Sequence, residues 1–138
     1  MLTTLIIDDE AHIRDTLTRL LSRYCPQVSV VGEASGVASG MKSVLESSPD
    51  LIFLDMKLSD GNAFDLLHAM RTSDFGVVLI STFDRESIRA LKLSGIEYLQ
   101  KPFSPTDLVE VVRRIGKHEN SNLASQLKAL EENLMNHI

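Results

Sequence analysis

Cysteine is nearly absent. Cys25 stands alone, so neither an internal disulfide nor a cysteine-rich zinc site can be built. Basic charge is short: 14 Lys and Arg face 19 Asp and Glu, a net charge of -5, which argues against a surface made to hold nucleic acid. No apolar run approaches the length of a membrane span. Met1-Leu2-Thr3-Thr4 carries no signal-peptide pattern, so a cytoplasmic protein is expected. Glycine forms no phosphate-cradling loop, because Gly36 and Gly40 fall where a helix should start and Gly32 lies apart from them. What remains is 138 residues, 43% hydrophobic, enough for one domain with one real core.

Short apolar runs alternate with amphipathic stretches. Leu5-Ile6-Ile7, Val28–Val31, Leu51-Ile52-Phe53-Leu54, Val77-Val78-Leu79-Ile80 and Tyr98-Leu99 read as strands. Between them, Ile13, Leu17, Leu20, Leu21 and Tyr24 recur at helical spacing, as do Val37, Met41, Val44 and Leu45. Phe64, Leu67 and Met70 place a third helix. Ile88, Ala90 and Leu91 place a fourth, ended by Gly95. Leu108, Val111, Val112 and Ile115 mark a fifth, which Ser104, Pro105 and Asp107 suit as cap and first turn. Alternation of this kind predicts an α/β fold, a doubly wound five-stranded parallel sheet with five helices. The runs are apolar throughout, as for strands covered on both faces.

In such sheets ligands bind beyond the carboxyl ends of the strands. The residues there are Asp8, Asp9, Asp55, Ser81, Thr82 and Lys101. Three carboxylates brought together repel, and a hard divalent cation such as Mg²⁺ relieves the repulsion while keeping positions open for phosphoryl oxygens. Lys101 adds a positive charge and Ser81 a hydroxyl donor. Such a set can stabilise a phosphoryl group in transfer, with a carboxylate as nucleophile. Asp55, at the end of the central strand, is the candidate acceptor. Any one acidic residue after a strand is explained by loop polarity. Acidic residues after two of three early strands, with Lys101-Pro102 after the fifth, are harder to explain that way.

The Asp8-Asp9 pair, the segment from Pro49 to Asp55, Gly61, Ser81 and Lys101-Pro102-Phe103 resemble the receiver domain of two-component response regulators. The resemblance covers residues 1 to about 118. It implies a flavodoxin-like strand order 2-1-3-4-5 and a phosphoryl group taken by Asp55 from a sensor histidine kinase. Asp9 and Asp55 would ligate Mg²⁺, with the Lys57 backbone carbonyl as a further ligand and Asp8 acting through a water. Lys101 would pair with the phosphoryl group, Ser81 would hydrogen-bond it, and Lys101-Pro102 would be cis. Tyr98 would be the switch aromatic, turning inward on activation. Phe83 and Lys57 would flank the path of the hydrolytic water. Ser81 replaces the commoner threonine, and Thr82 stands where a smaller residue is usual, narrowing access to Asp55. The resemblance implies a signalling module, not a turnover enzyme: it would catalyse only its own phosphorylation and dephosphorylation.

Rival readings fit less well. A haloacid-dehalogenase-type phosphatase wants an Asp where Lys57 stands. A nucleotide-binding protein would not place Asp8-Asp9-Glu10 after its first strand. A receiver that only docks partners should have lost one of the key residues. The four histidines, His12, His68, His118 and His137, are expected on exposed helix positions, with only His12 near the site.

The receiver is expected over residues 1–118, with a helical extension over 119–138. Leu123, Leu127, Leu130 and Leu134 make a narrow stripe there. Together with Leu58–Leu67 and Ile96–Pro102, this extension resembles the receiver-plus-linker part of LytTR-type regulators. That implies a homodimer when activated, and DNA bound only through a further C-terminal domain absent from this chain. A stand-alone receiver acting by protein contacts or phosphorelay is the alternative. On the linker reading the stripe should be covered by a second copy or a neighbouring molecule; on the bland one, the helix folds back on its own domain.

Overall fold

A computed structural model describes residues 1–115 and 122–135. His118, His137 and the expected boundary at 118/119 lie outside the described residues. Five parallel strands form one sheet: β1 (Leu2–Ile7), β2 (Val28–Ala34), β3 (Leu51–Asp55), β4 (Gly76–Ser81) and β5 (Glu97–Gln100). Their spatial order is β2-β1-β3-β4-β5, as expected. β3 is buried along its whole length, which its unbroken Leu-Ile-Phe-Leu run requires. β2 runs three residues beyond the expected Val31. It is an edge strand, so its outer part alternates and carries Gly32 and Glu33 instead of an apolar run.

Among the described residues, six helices cover the two faces: α1 (Ala11–Tyr24), α2 (Val37–Ser47), α3 (Ala63–Ala69), α4 (Arg85–Ser94), α5 (Pro105–Ile115) and α6 (Leu123–Met135). α1 and α5 pack Leu17, Leu21, Leu108, Val111 and Val112 on one face, around Phe53 and Val78. α2, α3 and α4 pack on the other, around Ile52, Leu54 and Leu79. Local chemistry sets the helix ends. Gly95 closes α4 at φ 78°. The Ser104 hydroxyl accepts from the Asp107 N–H at 3.1 Å, and the Asp107 carboxylate accepts from the Ser104 N–H at 2.9 Å. Asp60, expected only as part of a turn, reaches 23 residues back and accepts from the N–H groups of Val37 and Ala38 at 2.6 and 3.1 Å. Those bonds cap α2 and lower the Asp60 pKa. A side chain at Gly36 would collide with the Asp60 carboxylate, 2.7 Å from an ideal Cβ, so glycine suits that approach.

α6 corrects one expectation. A helix folded back on its own domain was one reading; on the linker reading its leucine stripe was expected to lie against a second copy or a neighbouring molecule. Instead, Leu123, Leu127 and Leu130 are 4%, 2% and 2% exposed, within the core of their own domain, and Leu134 packs at the margin. α6 lies chiefly on α4 and touches α3, and its leucines join the core cluster that holds Leu67 and Leu91.

Candidate functional site

Register builds the site. Ile7 pairs with Leu54, so Asp8 and Asp55 leave neighbouring strands side by side. The Asp8 N–H donates to Ala34 O at 3.1 Å, holding that turn against β2. Ser81 pairs with Gln100, and the Lys101 N–H donates to Ser81 O at 2.8 Å, bringing Lys101 to the same edge. The Lys101-Pro102 bond is cis.

Asp8 is fully buried and Asp55 is 5% exposed. The Lys101 ammonium lies between them, 3.2 Å from Asp8 Oδ2 and 3.5 Å from Asp55 Oδ2. Asp8 Oδ1 accepts from the Glu10 N–H at 2.9 Å, and Arg14 donates to the Asp8 carbonyl at 2.7 Å. Burial pushes the Asp55 pKa from 3.8 up to about 6; Asp8 adds to the rise, while Lys101 and a backbone hydrogen bond from Lys57 oppose it. Burial works against the charge on Lys101, yet the Asp55 and Asp8 carboxylates outweigh it and raise its pKa. Two buried carboxylates sharing one ammonium leave negative charge incompletely compensated at neutral pH.

Asp9 is exposed and lies with Asp8 and Glu10, one carboxylate oxygen of each falling within 4.8 Å of the others. Sequence reasoning had Asp8 and Asp9 but used Glu10 only to argue against a nucleotide. The run of three acids after β1 was the available signal. His12, the one histidine expected near the site, pairs with Glu10 at 3.2 Å. His68 is an exposed position on α3, as expected, and pairs with Glu131, tying α3 to α6. These oxygens suit a hard divalent cation, and beside them the buried Asp8 and Asp55 carboxyl groups have a single ammonium between them.

The residues after Asp55 are tightly placed. The Met56 N–H donates to Ile80 O at 3.1 Å, and the Met56 carbonyl accepts from Ala63 at 3.0 Å. Lys57 and Leu58 form a two-residue antiparallel ladder with Gly61 and Asn62. Ser81 is half-buried at the end of β4, with Thr82 exposed beside it. Tyr98 is half-buried, not fully exposed, and meets the Phe83 ring edge-on at 5.7 Å. The Gln100 side chain clasps the Phe83 backbone, accepting from its N–H at 3.4 Å and donating to its carbonyl at 3.2 Å.

Comparison with known proteins agrees with this geometry. The family model of the response regulator receiver domain matches residues 4–113. A sensory transduction protein LytT of Bacillus cereus is 30% identical over 91% of this chain and 52% of its own length. An uncharacterized response regulatory protein of Vibrio parahaemolyticus is 35% identical over 100% of this chain and 57% of its own. The chain thus spans about half the length of these curated relatives. Among solved structures, the signal receiver domain of a putative response regulator, NarL, from Mycobacterium tuberculosis superposes with TM-score 0.73 at 26% identity, covering 86% of this chain and 98% of that one. The response regulator domain of Thermotoga maritima CheB superposes with TM-score 0.74 at 22% identity, covering 87% and 99%, and shares the fold. With strand ends, register and a family match over residues 4–113 in agreement, the chain belongs to the response regulator receiver domains of two-component signalling.

Proposed function

We propose that Asp55 is the phosphoacceptor and that a sensor histidine kinase is the donor. The observation that carries this is the Lys101 ammonium shared between Asp8 and Asp55 at the end of the sheet. A carboxylate oxygen of Asp55 would attack the phosphorus of a phosphohistidine. The P–N bond breaks as the P–O bond forms, and the imidazole leaves as the neutral base after taking up a proton. Lys101 would follow the charge from carboxylate to phosphoryl oxygen, and the Ser81 hydroxyl would donate to another oxygen. Asp9, Asp55 and the Lys57 backbone carbonyl would hold Mg²⁺, with Asp8 acting through a water. The ion would neutralise charge on the phosphoryl oxygens. Asp55 must be ionised to attack; burial and Asp8 work against that charge, and Mg²⁺ beside it would favour the ionised form.

On this reading, Ser81 moving toward the phosphoryl group empties space for Tyr98 to rotate from half-buried to buried. Partners would then read the altered surface of α4, β5 and α5. A homodimer in the activated state, and transcriptional control through a DNA-binding domain outside these 138 residues, extend the proposal. One observation favours the second reading, a stand-alone receiver: the leucines of α6 are buried in this domain and not left free for a partner.

Asp9→Ala tests the metal set. It should fold normally, because Asp9 is exposed. It should lose the Mg²⁺-dependent component of labelling by acetyl phosphate. An unchanged rate and an unchanged Mg²⁺ titration would remove Asp9 from the site.

A further inference from the structure

α6 ends beside the phosphoacceptor loop. Leu130 and Leu134 share a small apolar cavity, about 40 Å³, with Met56, Phe64, Phe83 and Leu91. Met56 follows Asp55 directly. Phe83 stands two residues after Ser81 and packs on Tyr98. The leucines at the end of α6 therefore line the same cavity as residues that flank the acceptor and the switch.

We propose that α6 is a strap over α4 whose docking is set by the occupancy of Asp55. This rests on the assignment of Asp55 as phosphoacceptor. Inward rotation of Tyr98 would press Phe83 toward Leu130 and Leu134. The cavity is about 40 Å³, far smaller than the roughly 150 Å³ apolar cavity that admits a benzene ring, so Phe83 cannot shift into it without displacing its lining, of which Leu130 and Leu134 are the part on α6. A helix of 13 residues is marginal by itself and depends on its docked face. Beyond the leucines, its polar ties to the receiver among the described residues are two: Gln126 donates to Gly95 O at 3.2 Å, and Glu131 pairs with His68. Its hold on the receiver therefore rests mainly on the buried face of Leu123, Leu127 and Leu130, with Leu134 at the margin, so a change at that face acts on the helix as a whole. Coupling is reciprocal, so whatever loosens α6 must favour occupancy of Asp55.

The test is amide hydrogen exchange on the whole 138-residue chain with Mg²⁺, with and without beryllofluoride, while ¹⁹F NMR records occupancy independently. Amides of α6 should exchange at least about tenfold faster in the occupied form, with α1 unchanged. Leu134→Ala, at a half-buried position, and Glu131→Gln should each loosen α6 without ligand and tighten beryllofluoride binding several-fold. Full occupancy with α6 protection unchanged or increased, or variants that loosen α6 and leave binding unaltered, overturns the strap and leaves the assignment of Asp55 standing. No fluoride signal at saturating beryllofluoride brings down that assignment and the strap with it.

Discussion

Asp55→Asn should give a protein that takes up no phosphoryl group and yet is more stable than the wild type at neutral pH. The Asp55 pKa is raised from 3.8 to about 6, foremost by burial and then by Asp8. A carboxyl whose folded pKa lies above its unfolded one binds its proton more tightly when folded. The contribution of Asp55 to stability is therefore most favourable below pH 3.8, falls as the pH rises to about 6, and stays at the lower level above that. A rise of that size corresponds to about 1–3 kcal/mol of destabilisation at pH 7.5, allowing for relaxation around the site. Asparagine has the same shape and no charge. Urea unfolding should show Asp55→Asn ahead by that margin at pH 7.5 and level with the wild type near pH 4. A variant weaker than the wild type at pH 7.5 would mean that Asp55 is not strained.

Lys101→Met should act in the opposite direction. Asp8 has no exposure and Asp55 has 5%, so removing the ammonium they share leaves two buried carboxylates uncompensated. Breaking a buried ion pair from one side costs about 3 kcal/mol or more. The loss should be largest at pH 7–8 and shrink toward pH 5, as Asp55 takes a proton and the repulsion ends. In the wild type, Lys101 has a pKa above its ordinary 10.5, so its stabilising contribution is fully present below pH 10.5 and is lost only as the pH rises through the folded value. Millimolar Mg²⁺ should restore part of the stability of Lys101→Met, because the ion offers the carboxylates another cation. Denaturant midpoints at pH 5 and pH 8, with and without Mg²⁺, check all three statements. A loss that does not change with pH would mean that Lys101 matters for packing and not for charge.

The site was largely legible because parallel register is a strong constraint. Once Leu5-Ile6-Ile7 and Leu51–Leu54 are neighbouring buried strands, Asp8 and Asp55 must emerge together, and Lys101 follows from the fifth strand. Contacts made across sequence by polar side chains were not legible. Asp60 caps α2 from 23 residues away, and nothing in a turn signal says which helix end will need those oxygens. Glu10 joins Asp8 and Asp9 as the chain turns into α1, and only the run of three acids after β1 signalled it. The leucine stripe of α6 was visible, but a stripe states only that something covers it. Its partner, chiefly α4 of the same domain, is set by tertiary packing that the stripe does not encode. Tyr98 was placed by its position after the fourth helix, whereas its half-buried state depends on Phe83, a contact set by tertiary packing.

Mapping the phosphoryl group tests the central claim most directly. The protein is incubated with acetyl phosphate and Mg²⁺, and the modified peptide is identified by mass spectrometry under conditions that preserve acyl phosphates. One phosphoryl group should be found on Asp55, and none when Mg²⁺ is withheld or Asp55 is replaced by asparagine. Labelling of Asp55→Asn at the wild-type rate, or a stoichiometric phosphoryl group on any other residue of the native chain, would contradict the account.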